Sequence, residues 1–258
     1  MAKTINIVGL ERFPMVKKGD NLAELIVSAA RNNNVALDDG DIIVVAHKIV
    51  SKTEGRTVKL SDMKPSPKAQ ILGKATKRDP RLVELVLRET KRVVKATPEI
   101  LIVENALGFV CINAGVDKSN VQGEETFALL PVDPDKSAQQ IRSQIRRLIG
   151  KEVAVIVCDT YSRPFRGGQV ELAIGLAGVN PFRDYRGQKD LFGYILKVKN
   201  SAIVDEIASA AELLIGQGNE AIPVVVVKGF GGVAITEDAS AGDLYISEKE
   251  DLFKGTLP

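Results

Sequence analysis

The chain has 258 residues, 45% hydrophobic and 26% charged, which is ordinary for a globular protein large enough to bury a sizeable core. A net charge of +2 gives no general basic field, and no apolar run approaches the ~20 residues that span a bilayer, so neither nucleic acid nor a membrane is an expected partner. The first residues lack the apolar core of a signal peptide, and two cysteines with one histidine provide neither a disulfide framework nor a zinc motif, so we expect a cytoplasmic protein.

Apolar periodicity predicts a chain in which strands and helices alternate. The predicted strands are residues 4–10, 41–46, 100–103, 109–112, 153–158, 191–198 and 222–227. The predicted helices are residues 22–29, capped by Asp20 or Asn21, and residues 65–77, 80–94, 135–150 and 202–215. Residues 131–136 resemble a linker and mark a possible subdomain hinge within a single unit of residues 1–258.

The most informative stretch is residues 153–168, VAVIVCDTYSRPFRGG. Its six apolar residues predict a buried strand that ends at Asp159 and Thr160. A carboxylate and a hydroxyl at the carboxyl end of a strand can hold a hard divalent cation together with phosphate oxygens. Arg163 and Arg166, beside two glycines, could bring positive charge and bare backbone to an anion. An ordinary polar turn would explain the same residues, and this alternative stays open.

Two other polar segments follow predicted strands. Residues 47–56 are rich in groups able to bind phosphate, although lysines that follow a strand are commonly only solvated. Residues 113–120 place Asp117 in a loop that contains glycine. If the two strands are neighbours, Asp117 and Asp159 could share one metal ion.

Six segments occur in a fixed order between about residue 8 and about residue 230. They are FPMV before KKGD, IVSKTEGR, NAGVDKSN, DTYSRPFRGG, DYRGQKDLFG and the turn from Gly216 to Pro223. Each segment is a weak pattern by itself. Together they resemble the coenzyme F420:L-glutamate ligase family, the gamma-glutamyl ligases of the deazaflavin coenzyme.

The resemblance implies an enzyme that uses GTP to join L-glutamate to the deazaflavin precursor, with manganese or magnesium and with potassium. It also implies an α+β fold with a mixed sheet, built as two entwined subdomains in a homodimer. The positions that fall on the family's GTP contacts are Phe13, Pro14, Met15, Val16, His47, Lys48, Lys52, Asn120, Ile215, Gly216, Gln217, Gly218, Asn219, Glu220, Ala221 and Ile222. Those that fall on its metal ligands are Asp117, Asp159, Thr160 and Gln217.

The residue types suit such a reaction. Transfer of a γ-phosphoryl group to a carboxylate depends mainly on positioning and charge stabilisation, and the resulting acyl phosphate can then react with the amine of glutamate. A metal held by Asp117 and Asp159 would supply positive charge. Lys52, Arg163 and Arg166 could neutralise the phosphates.

Arg186 and Lys189 are candidates for binding the carboxylates of the incoming glutamate. Ion pairs with Asp184 and Asp190 at the surface are the alternative, and such pairs contribute little. Two other functions also stay open, because motif and fold do not specify a substrate. One is a related ligase that joins another amino acid or acceptor, and the other is a GTP- or metal-binding protein without turnover.

Overall fold

The structure, a computed structural model, describes residues 3–231, 236, 238–246 and 249–251. Helices and mixed sheets combine as predicted in an α+β fold. The helices are α1 (Leu22–Asn32), α2 (His47–Thr53), α3 (Pro67–Thr76), α4 (Pro80–Arg88), α5 (Pro134–Ile149) and α6 (Ile203–Ile215). The strands are β1 (Asn6–Gly9), β2 (Ile42–Ala46), β3 (Thr57–Lys59), β4 (Thr90–Thr97), β5 (Ile100–Asn105), β6 (Val110–Ile112), β7 (Thr126–Ala128), β8 (Ala154–Ser162), β9 (Gln169–Ala177), β10 (Arg183–Asp184), β11 (Asn200–Ser201) and β12 (Val224–Lys228).

A five-stranded sheet forms the centre of the fold, with the strands in the order β1-β12-β2-β8-β9. β2 and β8 run parallel, and the other neighbours are antiparallel. β2, the first part of β8 and most of β12 are buried on both faces, which explains their continuous runs of apolar residues. Among the described residues, no helix combines the length and the apolarity needed to cross a membrane.

Helices cover both faces of this sheet. α1 and α5 pack on the face that carries Val45 and Val157, and α6 packs on the face that carries Val44 and Cys158. Successive residues of a strand project to opposite faces. Along β8 the alternation therefore directs Thr160 towards the α6 side and Asp159 towards the other side.

Residues 57–128 form a second group of elements between α2 and α5. β3 pairs with β7, and β4, β5 and β6 form an antiparallel sheet that packs against α3 and α4. The predicted pair of strands at residues 100–103 and 109–112 is confirmed as β5 and β6. The hinge near residues 131–136 stays a prediction; there the chain enters α5, whose first turn is capped by Asp133.

Several predicted elements differ from the structure. The helix predicted over residues 80–94 ends at Arg88, because the β-branched residues that follow pair with β5 as strand β4. The polar segment after β2, for which no helix was predicted, begins as helix α2 at His47. The strand predicted over residues 191–198 is wrong: Leu191 is 98% exposed, and the chain turns at Gly193, where φ is +88°.

β8 is longer than predicted. It pairs with β2 only as far as Cys158, but it continues to Ser162 as a hairpin with β9. Asp159 and Thr160 therefore lie inside a strand, immediately beyond the end of the parallel pairing. This extension gives both side chains a fixed backbone.

Gly175 lies where β9 passes the start of α5. A Cβ atom at this position would overlap the carbonyl group of Pro134, which is backbone and cannot move independently. We expect Gly175→Ala to lower the free energy of unfolding by ~1–3 kcal/mol, measured by urea denaturation. Gly167→Ala is the matched control, because a Cβ atom there meets open space. Equal losses in the two variants would contradict this account of the packing.

Candidate active site

A cavity of about 330 Å³ lies at the carboxyl ends of the parallel strands β2 and β8. Its volume falls within the ~300–1,000 Å³ that is usual for small-molecule sites, and its position is the usual one in sheets with parallel strands. The lining residues are Phe13, Pro14, Met15, Val16, Ala46, His47, Lys48, Ile49, Lys52, Asn120, Asp159, Thr160, Glu171, Ile215, Gly216, Gln217, Gly218, Asn219, Ala221, Ile222 and Pro223. Every sequence-predicted GTP position except Glu220 is among them.

Helix α2 supplies two lysines to the cavity wall, and Asn120 connects this helix to the turn after α6. Lys52 Nζ donates a hydrogen bond to the backbone oxygen of Asn120 at 2.7 Å. The side-chain amide of Asn120 in turn donates to the backbone oxygen of Gly218 at 3.0 Å. Burial lowers the pKa of Lys52, and the charge of Lys48 lowers it further. Two neighbouring ammonium groups bring positive charge to this wall, which favours an anion, and Asp117 at 2.6 Å partly offsets the charge of Lys48.

Asp117 is not part of the cavity lining. Its carboxylate lies 2.6 Å from Lys48 Nζ and accepts two hydrogen bonds from Ser119, from the backbone N–H and from the hydroxyl, each at 2.8 Å. Burial raises the pKa of Asp117, but Lys48 and Ser119 outweigh this effect, and the net pKa is lowered. The carboxylate that was predicted to share a metal ion with Asp159 is thus paired with a lysine and lies outside the cavity lining.

Asp159 lines the cavity beside the buried imidazole of His47, which also lines it. His47 Nε2 is 3.1 Å from Asp159 Oδ1, although the direction of approach is not that of a hydrogen bond, and this nitrogen has no hydrogen-bond partner among the described residues. The other ring nitrogen is 3.4 Å from the Ser51 hydroxyl. The backbone N–H of Thr160 donates to Asp159 Oδ1 at 2.8 Å. This hydrogen bond from the neighbouring residue orients the Asp159 carboxylate.

Sequence reasoning missed Glu171 and Glu212. Thr160 Oγ1 donates to Glu171 Oε2 at 3.2 Å, and Gln217 Nε2 donates to Thr160 Oγ1 at 2.9 Å and also to Glu212. Burial, followed by the charges of Asp159 and Glu212, raises the pKa of Glu171 to about 8. The available signal was the single carboxylate inside the apolar run QVELAIGLA.

The turn after α6 needs glycine at its first position. Gly216 has a φ of +65°, a region that L-residues rarely adopt, and a Cβ atom there would overlap the carboxylate of Glu220. Glu220 accepts a hydrogen bond from the Gly218 N–H at 2.8 Å. The Glu220 carboxylate thus stabilises the turn through this hydrogen bond, and Glu220 is not among the lining residues.

Arg163 and Arg166, the predicted phosphate-neutralising residues, lie at the tip of the β8–β9 hairpin and do not line the cavity. The guanidinium of Arg163 donates to the backbone oxygen of Gly167 at 3.1 Å, within the same hairpin. Arg166 is exposed. Within the described residues of the single chain, neither arginine lies at the cavity in which the nucleotide is expected.

Arg186 and Lys189 lie outside the cavity as well, in the segment between β10 and β11. Arg186 is 2.6 Å from Asp184, and this hydrogen-bonded pairing lowers the pKa of Asp184 to about 2. Asp190 accepts hydrogen bonds from the backbone at Phe192 and Tyr194, both at 2.9 Å. For Arg186 the geometry matches the surface ion pair that was the alternative to glutamate binding.

The oxygen donors that line the cavity are of the types that fit a hard divalent cation, although Asp159 and Thr160 project from opposite faces of β8. Asp159, Thr160 and Gln217 offer a carboxylate, a hydroxyl and an amide. Within the described ranges, however, no group of three or more His, Cys, Asp or Glu side chains is placed to hold a metal. Gln217 also directs its nitrogen towards Thr160, so its amide would have to rotate to offer oxygen. The set fits a cation that binds together with phosphate oxygens.

Glu171 should make the stability of the protein depend on pH. Because its pKa rises from 4.5 to about 8 on folding, the folded state keeps a proton that the unfolded chain has released between these pH values. The free energy of unfolding should therefore fall as the pH rises through this range. Urea denaturation with a chelator present should show a flatter pH profile for Glu171→Gln than for the wild type. The exposed control Glu206→Gln should keep the wild-type profile, and a wild-type profile in Glu171→Gln would contradict the assignment.

The cavity, with its two lysines, the buried Glu171 and the half-buried Asp159, has the features of a small-molecule site. Residues 11–229 match the family described as F420-0:gamma-glutamyl ligase. The chain therefore belongs to this family of ligases, and the resemblance carried by the six segments is confirmed.

Three relatives named coenzyme F420:L-glutamate ligase cover most of the chain. The protein of Methanothermobacter thermautotrophicus is 41% identical over 97% of this chain and 99% of its own length. The protein of Methanopyrus kandleri is 45% identical over 87% and 86% of the two chains. The protein of Methanocaldococcus jannaschii is 40% identical over 98% of each.

Proposed function

We propose that this protein is a GTP-dependent ligase that adds L-glutamate to the deazaflavin precursor F420-0 and then further gamma-linked glutamate. The observation that carries the proposal is the composition of the cavity wall. Segments far apart in the sequence, each assigned to GTP by the family resemblance, line one space whose volume is usual for small-molecule sites. The cytoplasmic location stays a prediction from the sequence.

The wall suggests how the nucleotide would lie. Phe13 to Val16 provide an apolar surface for the base and ribose, and Lys48 and Lys52 provide positive charge for the phosphates. The lowered pKa of Lys52 indicates a poorly solvated ammonium group, and charge interactions are stronger where water is excluded. Binding of phosphate would stabilise the protonated form of Lys52 and so raise its pKa.

The reaction would proceed in two steps. A carboxylate oxygen of F420-0 attacks the γ-phosphorus of GTP, GDP leaves, and an acyl phosphate forms. The amine nitrogen of glutamate then attacks the acyl carbon, inorganic phosphate leaves, and the ammonium proton passes to solvent. Both steps depend on orientation and on stabilisation of negative charge. The two lysines of α2, which line the cavity, would provide the second of these.

Manganese or magnesium is the proposed metal. Asp159 and Thr160 would hold it, with Gln217 after rotation of its amide, and the bound ion would supply positive charge beside the phosphates. Asp117 would join them only after release of Lys48. The potassium ion implied by the resemblance stays a prediction, without an assigned residue.

Product analysis of the nucleotide separates the proposal from its alternatives. We expect GDP and phosphate to appear in amounts beyond one equivalent per enzyme only when F420-0 and L-glutamate are both present. A protein that binds GTP without turnover would release neither product under any condition. A related ligase would release both with another amino acid or acceptor, and would stay inactive with this pair.

We also propose a homodimer. The segment between β10 and β11 exposes large apolar side chains that are typical of a covered surface, with Leu191 98%, Phe192 95% and Val198 89% exposed in the single chain. Light scattering of the active enzyme should give twice the mass of one chain, and the double variant Leu191→Asp/Phe192→Asp should shift it towards one. An active wild-type monomer at assay concentrations would contradict the proposal.

A further inference from the structure

Glu171 lines the cavity with only 3% of its surface exposed, and it has no part in the reaction described above. We propose that Glu171 is a positioning residue, which accepts the hydroxyl proton of Thr160 and so turns the lone pairs of that oxygen towards the cation. The inference rests on the proposed function, because it supposes a divalent cation beside Thr160.

An irregularity in the β8–β9 hairpin creates the contact between the two side chains. Opposite residues of an antiparallel pair project to the same face, and Thr160 stands opposite Glu171. The register shifts by one residue between Val157, which faces Gly175, and Cys158, which faces Ala173. Without this shift the apolar Leu172 would stand opposite Thr160. Such irregularities commonly re-aim side chains next to active sites.

The hydrogen-bond directions follow from the chemistry of the groups. The Glu212 carboxylate accepts, so Gln217 must present its nitrogen there, and the same nitrogen donates to Thr160 at 2.9 Å. A hydroxyl has one proton and two lone pairs. Since Thr160 accepts from Gln217, its own proton goes to Glu171 Oε2 at 3.2 Å. This oxygen accepts in the carboxylate and also, with the proton on Oε1, in the acid. One lone pair of Thr160 is left for a cation in this arrangement. Rotation of the Gln217 amide to offer its oxygen would free the second lone pair and leave Glu171 as the acceptor of the hydroxyl proton.

Removal of the Glu171 carboxylate should release this arrangement. The hydroxyl proton would lose its acceptor and could rotate towards the cavity, where its positive end opposes a cation. Partners that orient a metal ligand in this way typically contribute ~10- to 100-fold to metal affinity. We expect Glu171→Ala to weaken Mn²⁺ binding by about that factor.

The experiment is a titration of Mn²⁺ followed by electron paramagnetic resonance, with the β,γ-imido analogue of GTP present and no turnover. Glu171→Gln should stay close to the wild type, because its amide oxygen can accept the same proton. In the Thr160→Ala background, Glu171→Ala should have no further effect, because the hydroxyl that it orients is gone. Ser209→Ala is the matched control: the Ser209 hydroxyl donates to the backbone oxygen of Glu171 at 2.8 Å and leaves the carboxylate unaltered.

Each other outcome is informative. Losses that add in the double variant would make Glu171 an independent ligand and overturn the positioning role. Unchanged Mn²⁺ affinity in folded Glu171→Ala, or an equal loss in Ser209→Ala, would overturn it too. If Glu171→Ala does not fold, Glu171→Leu fills the space without accepting a hydrogen bond and takes its place. No Mn²⁺ binding by the wild type would instead overturn the proposed metal site, and this inference with it.

Discussion

Asp159→Asn should abolish metal-dependent ligation while the protein stays folded. The substitution removes the charged donor at the wall where Thr160 and Gln217 supply only neutral ones. The effect should exceed the ~10- to 100-fold that is typical of residues acting behind a ligand. The fold should survive, because the asparagine oxygen can still accept the Thr160 N–H that now bonds Oδ1 at 2.8 Å. Ligation rates across a manganese titration, together with the unfolding midpoint, measure both parts.

Glu206→Gln is the control for this variant, because it removes one carboxylate from an exposed position in the first turn of α6. It should leave ligation and its manganese dependence unchanged. Normal ligation by Asp159→Asn at sub-millimolar manganese would remove Asp159 from the metal site.

Lys52→Ala should weaken GTP binding by ~1–3 kcal/mol, the range for a charge-assisted hydrogen bond. Lys52 lines the cavity, and its ammonium is held by the backbone oxygen of Asn120 at 2.7 Å, so it is already ordered before a ligand arrives. Calorimetric titration with the β,γ-imido analogue of GTP measures the loss directly. A smaller part of it would come from the turn that Asn120 connects to Gly218.

Lys68→Ala serves as the comparison, since Lys68 is an exposed lysine on α3 outside the cavity lining. It should leave GTP affinity within error of the wild type. Unchanged affinity in folded Lys52→Ala would return this lysine to the role of a solvated surface residue.

The central elements of the fold could be predicted because their signals are local. The continuous apolar runs of β2 and β12 mark strands buried on both faces, and the apolar stripe of α5 ends at Gly150, which adopts the left-handed conformation expected at a helix end. The residues of the cavity wall, from Phe13 to the turn after α6, were predicted only through the family resemblance. Their side-chain types alone did not indicate that these segments lie together.

The remaining features depend on interactions between distant parts of the chain. Lys48 pairs with Asp117 only because α2 begins at His47, at the end of β2, without a side-chain cap to announce it. Glu171 faces Thr160 because of a register shift that no local pattern encodes. The strand predicted at residues 191–198 was wrong because a local apolar run suggested burial. In the described chain most of its apolar side chains are exposed and form no core.

Mass spectrometry of the deazaflavin tests the central claim most directly. The purified protein is incubated with F420-0, L-glutamate, GTP and manganese, and the masses of the products are compared with those of a reaction that lacks GTP. The proposed function predicts an increase by one glutamyl residue, with further equal increments for longer tails, and no increase without GTP. A deazaflavin of unchanged mass in the complete reaction, with a folded protein, would contradict it.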